Sequence, residues 1–152
     1  MLLAPEQPVP DTLGGKGGAL ARLVVDAYPV PTTGVITTDA YRSIAGQPMI
    51  VDLVARVGAG DELSPADVDE TFADLVISEP LRGEIIELAR AVGDGGLVAV
   101  RSSATVEDLH GSSFAGQYRS LLNIDVGNPE AILAAVRQVW ASLWHPAPSA
   151  YR

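Results

Sequence analysis

Two segments of this 152-residue chain carry residue types that could hold a polyanion. The first is Leu13-Gly14-Gly15-Lys16-Gly17-Gly18-Ala19-Leu20. Glycines let a backbone approach a phosphate closely, a helix following them offers free N–H groups and the positive end of its dipole, and Lys16 adds a full charge. The pattern is not a P-loop, because Lys16 is followed by Gly17 where that loop needs a serine or threonine for Mg²⁺. Short glycine motifs often match by chance, so taken alone the segment reads first as a flexible turn with a solvated lysine.

The second segment runs from Val98 to Tyr118. Arg101 leaves an apolar stretch, the hydroxyls of Ser102 and Ser103 follow, and a glycine-rich span tipped by Phe114 comes after them. An arginine fork supplies bidentate phosphate contacts, and backbone N–H groups around Gly111 and Gly116 could supply others, which together make a lid over a polyanion. The competing reading is a surface loop in which Arg101 pairs with Glu107 or Asp108, and composition does not decide between the two.

Other chemistries lack their parts. Ser102 and Ser103 have no G-x-S-x-G elbow around them. Glu107 and Asp108 are adjacent and point apart on an extended backbone, which argues against paired-carboxylate work. The chain has no cysteine and only two histidines, His110 and His145, so neither thiolate chemistry nor a zinc cage is expected and no metal-ligating residue is assigned. Trp140 and Trp144, four apart on an expected helix, read as core or subunit contact rather than as a base-stacking platform.

The elements that must position these residues follow from periodicity and breakers. Leu13 to Ala27 reads as a glycine-rich turn and then a helix, stopped by Pro29 and Pro31. The β-branched run from Val35 to Thr38 predicts a strand, and Asp39 to Ala45 a short helix. Ser64-Pro65 predicts an N-cap and first helical position, with Val68, Phe72, Leu75 and Val76 buried behind them. A helix from Pro80 ends at the breaker Gly93-Asp94-Gly95-Gly96. Leu97 to Val100 and Ser120 to Ile124 predict strands, and Asn128-Pro129-Glu130 opens a helix with Ile132, Leu133, Val136, Val139, Trp140 and Leu143 on one face. Helices with short, mostly antiparallel strands and no βαβ alternation give an α+β fold, with residues 1–152 as one domain.

Composition narrows the class. Apolar residues make up 47% and charged ones 19%, the range of chains that fold. At this length about 70% of the unfolded chain's surface is buried on folding. A net charge of −9 argues against a nucleic-acid partner, since that role needs a basic face. No apolar run approaches a membrane span and the first residues do not form a signal peptide, so no membrane partner and a cytoplasmic location are expected.

Taken together, LGGKGGAL, VPTTGVITTDAYR, VRSSATVEDLHGSSFAGQY and VWASLWHPAPSAYR resemble the nucleotide-binding domain of the pyruvate phosphate dikinase and phosphoenolpyruvate synthase family, shared with the rifamycin phosphotransferases. The four motifs come in the family's order and spacing and span almost the whole chain. The resemblance implies the N-terminal part of an ATP-grasp domain in a phosphotransferase. There ATP passes a phosphoryl group to a histidine on a separate domain, and from it to pyruvate or another acceptor. It implies that Lys16 and Arg101 hold ATP phosphates. Thr105, Gly111, Ser112, Ser113, Phe114, Gly116 and Gln117 would belong to a glycine-rich lid, and Mg²⁺ would arrive with the nucleotide.

Thr33 and Gly34 depart from the glycine and phenylalanine of many relatives, and His110 stands where proline is usual. Neither His110 nor His145 lies in a phosphohistidine motif, so no catalytic residue is expected in this chain. The remaining ATP-grasp half and the phosphohistidine domain are expected on another chain or a longer parent. An open packing face would then favour self-association, with the Trp140 and Trp144 helix as a contact. The alternative is a non-catalytic module, truncated or regulatory, that binds nucleotide without turnover.

Overall fold

The computed structural model describes residues 11–103 and 119–145. A short 3-10 turn, Asp11–Leu13, runs directly into helix α1, Gly14–Val25. Helices α2 (Thr38–Arg42), α3 (Pro48–Gly58), α4 (Pro65–Ala73) and α5 (Glu79–Gly93) follow, then strands β1 (Leu97–Arg101) and β2 (Ser120–Asp125), and finally α6 (Pro129–Ser142). Helices around one antiparallel strand pair make the described chain α+β, as expected.

Helix α6 is the hub. Pro129 suits its first position because its fixed φ is already helical, and the Asn128 side-chain oxygen accepts the Ala131 N–H at 3.2 Å. Periodicity predicts a single buried face, but Ala135, Ala141 and Ser142 are buried alongside Ile132, Leu133, Val136, Val139 and Trp140. The cause is its placement: α4, α5 and both strands pack against it. Small residues at 135, 141 and 142 leave room for those neighbours.

Around α6 the core gathers Ile50 and Leu53 of α3, Val68 and Phe72 of α4, Leu75, and Ile85 and Ile86 of α5. Helix α4 starts as the sequence predicts, in a reciprocal cap: Ser64 Oγ accepts the Asp67 N–H at 3.1 Å, and Asp67 Oδ2 accepts the Ser64 N–H at 3.3 Å. Val76 is a correction, being 66% exposed where a buried stripe was expected. The helix ends at Ala73, so the periodicity no longer applies at position 76. There the backbone is clamped from both sides by Gln47, whose Nε2 donates to the Val76 carbonyl at 2.6 Å and whose Oε1 accepts the Val76 N–H at 3.1 Å.

Two further departures concern the first half. The strand expected at Val35 to Thr38 does not form, and among the described residues only Gly34 makes an isolated bridge before Thr38 opens α2. A β-branched run favours extended backbone, but a strand exists only where an edge pairs with it. Val35 instead buries its side chain with Leu13 and Ala21. Helix α3, which sequence reading left unassigned, starts at Pro48 and buries Ile50 and Leu53 while Val51, Val54 and Val57 stay exposed.

Both tryptophans make contacts inside the chain. Trp140 is buried and meets Tyr41 edge-on, with centroids 5.6 Å apart at 68°. Trp144 Nε1 donates to the Tyr41 hydroxyl at 2.7 Å. Burial pushes the Tyr41 phenol above its ordinary value, and the Trp144 hydrogen bond opposes that rise. The folded state therefore holds this proton to higher pH than the unfolded state does. The resulting stability is complete below the unfolded value near 10 and is lost as pH rises through the folded one. An alkaline absorbance titration is expected to show a phenol ionising above the ordinary tyrosine range, and Tyr41→Phe should remove that late phase. A titration identical in the two proteins would contradict it.

Strands β1 and β2 pair Leu97 with Asp125, Val98 with Ile124, Val100 with Leu121 and Arg101 with Ser120. Between the second and third pairs β2 has one more residue than β1, and Asn123 takes the left-handed φ of 60° that asparagine tolerates. The bulge lets Leu121 and Ile124, three apart, both lie half-buried beside Val98 and Val100, while Leu122 is exposed.

Candidate functional site

The glycine segment is not a loop ahead of a helix. The turn Asp11–Leu13 already leads the chain in, and Gly14 to Gly18 form the first turns of α1 themselves. Gly14 makes the junction with φ +70°, and a Cβ placed on it would lie 1.7 Å from the Ser103 carbonyl oxygen. The backbone of the second segment thus comes so close to the first that only glycine fits. Lys16 is exposed on this opening turn, and Gly17 behind it is buried.

Ser103 joins the two segments. Its hydroxyl accepts the Gly17 N–H at 2.7 Å and donates to the Leu13 carbonyl at 2.8 Å, links that span 86 and 90 residues of sequence. These are the two groups that an α-helix joins directly in its own ladder. Arg101, the last residue of β1, is exposed two residues before Ser103, and Ser102 between them is buried. The predicted Lys16 and Arg101 therefore stand on segments that the fold holds against each other. Sequence reading had Ser103 only as one hydroxyl after an arginine, and nothing in its local pattern signals a bond to residue 13 or 17. The lid residues Thr105, Gly111, Ser112, Ser113, Phe114, Gly116 and Gln117 lie outside the described residues, as does His110.

The chain is fixed again where it re-enters β2. Arg119 Nη2 donates to Asp69 Oδ2 at 2.9 Å, and its backbone N–H donates to Ser142 Oγ at 3.2 Å. His145 Nε2 lies 2.9 Å from Asp69 Oδ1, so the histidine has a partner on α4.

An open concavity of about 420 Å³ elsewhere is lined by Met49, Arg56, Asp67, Glu70, Thr71 and Asp74. Its three carboxylates would repel a polyphosphate, so it is not taken as the anion site. Among the described residues no three carboxylates or histidines are grouped to hold a metal ion.

The sequence pattern of the family described as "Pyruvate phosphate dikinase, AMP/ATP-binding domain" matches residues 10–152. The chain belongs to this family. The pyruvate phosphate dikinase AMP/ATP-binding match takes in both the Gly14–Gly18 and the Arg101 segments. The chain is 36% identical to a rifampicin phosphotransferase of Streptomyces sviceus, over 92% of this chain and 17% of that protein. It is 32% identical to a phosphoenolpyruvate synthase of Aeropyrum pernix, over 92% and 18% respectively. A prodigiosin synthesizing transferase of Serratia marcescens is 35% identical, over 89% of this chain and 14% of its own length. The chain thus spans less than a fifth of the curated relatives it matches in these three cases. No solved structure matches it. No helix among the described residues is long and apolar enough to cross a membrane.

Proposed function

We propose that this chain binds the triphosphate of ATP between the opening turn of α1 and the end of β1, as the nucleotide-binding part of a dikinase-type phosphotransferase. In this reading the N–H groups of the first turn and Lys16 face the phosphates, Arg101 grips them as a fork, and magnesium comes with the nucleotide. The chemistry is then positioning and charge stabilisation. The phosphoryl group passes to a histidine on a separate domain and on to pyruvate or another acceptor. The observation that carries the reading is the Ser103 link, which brings together the two segments that family resemblance assigns to the phosphates.

Arg101 is expected to be the most sensitive binding position. Its backbone is paired to Ser120 in the strand ladder, so its side chain starts from a fixed base. Its two parallel hydrogen bonds to a phosphate cannot be copied by an ammonium. Arg101→Ala should weaken MgATP by about 1.5 to 3 kcal/mol, the scale of hydrogen bonds to a charged group, and Arg101→Lys nearly as much. Lys16→Ala should cost less, because the helix N–H groups remain. Calorimetric titration of the three variants against the parent, with folding checked by circular dichroism, measures this. An Arg101→Ala chain that folds normally and binds MgATP like the parent would sink the assignment.

A further inference from the structure

We infer that Ser103 is a positioning residue: through one hydroxyl it sets the opening turn of α1 against the end of β1, so that the Lys16 turn and Arg101 meet a ligand as one rigid unit. The inference rests on the ATP reading above and names a residue through which that site would be held. Three observations support it.

The hydroxyl takes both of its bonds from a single helical turn, the Gly17 N–H at 2.7 Å and the Leu13 carbonyl at 2.8 Å. The turn it grips is poor in grip of its own. It holds four glycines among its first five residues, and glycine is the residue that loses most freedom on becoming helical. Its N-cap, Leu13, offers no side-chain hydrogen bond. A cap from 86 residues away replaces the local one that Ser64 and Asn128 supply to α4 and α6.

The approach is also close enough to transmit displacement. Beside the Gly14 carbon stands the Ser103 carbonyl, and a Cβ on Gly17 would lie 3.3 Å from the Ser103 hydroxyl. A shift of Ser103 moves the turn, and two residues upstream the same backbone is locked into the ladder at Arg101 and Ser120.

The test follows amide hydrogen exchange by NMR in the whole chain together with MgATP titration, for the parent, Ser103→Ala and Ser103→Thr. In Ser103→Ala the Gly17 amide should exchange about tenfold faster, the scale of one lost hydrogen bond, while the Phe72 and Val136 amides keep their protection. MgATP affinity should fall by about the same factor, and Ser103→Thr, which keeps the hydroxyl, should restore both. The inference is overturned by unchanged Gly17 exchange in Ser103→Ala, by equal loss of protection through the core, by unchanged affinity despite faster exchange, or by failure of the threonine to restore either. A parent chain that does not bind MgATP refutes the proposed function instead, and the exchange of Gly17 without nucleotide still decides whether Ser103 holds the turn.

Discussion

Gly14→Ala should lower the stability of the chain by about 2 to 5 kcal/mol. Two costs combine. A residue with a Cβ held at φ +70° carries about 1 to 2 kcal/mol of backbone strain. The added carbon would also stand 1.7 Å from the Ser103 carbonyl oxygen, and backbone rather than a flexible side chain must move to relieve that. Overpacking of this kind typically costs about 1 to 3 kcal/mol. Since 1 kcal/mol shifts the melting temperature of a domain of this size by about 2 to 4 °C, the expected drop is large enough to read directly in a thermal scan. Gly18→Ala is the control, because a Cβ there meets nothing within 4 Å. It should be neutral or stabilising by up to about 1 kcal/mol, the helix preference of alanine over glycine. Equal melting temperatures for Gly14→Ala and the parent would show that the two segments do not approach as described.

Phe72→Ala should cost about 3 to 5 kcal/mol, the range for removing a large aromatic from a filled core. Phe72 is 1% exposed and sits between α4 and the elements around α6, among Val68, Leu75, Ile132 and Leu133. Its loss removes apolar area and leaves a cavity where close neighbours have little freedom to collapse. Val76→Ala, four residues along, should change stability by less than about 0.5 kcal/mol, because that side chain is 66% exposed. Urea unfolding of both variants separates the two expectations. A Phe72→Ala loss below about 1 kcal/mol would mean that the α4–α6 contact is not the centre of the core.

Much of the fold could be read from the sequence wherever chemistry was local. The Ser64-Pro65 and Asn128-Pro129 starts and the stop after Gly93 with Asp94 in the left-handed region all rest on neighbours within a few residues. Failures came where distant partners decide. Val35 to Thr38 has strand-forming residues but no paired edge, and Val51, Val54 and Val57 fill the outer side of α3 with apolar residues that blur its helical period. The same division holds at the candidate site. Lys16 and Arg101 stand out by type and by family resemblance, whereas Ser103 matters through bonds to residues 13 and 17 that no window of sequence contains.

The smaller apolar cluster has a consequence for how the chain opens. Leu13, Ala21 and Val35 form it apart from the cluster around Phe72 and Trp140, and α1 leaves Leu23 and Val25 exposed. Sub-global opening takes the route that breaks the fewest buried contacts, so α1 should detach and return many times for each unfolding of the whole chain. A protease or a chaperone would thus meet the glycine-rich end first, and a ligand bound there would raise the cost of that partial opening before it altered global stability.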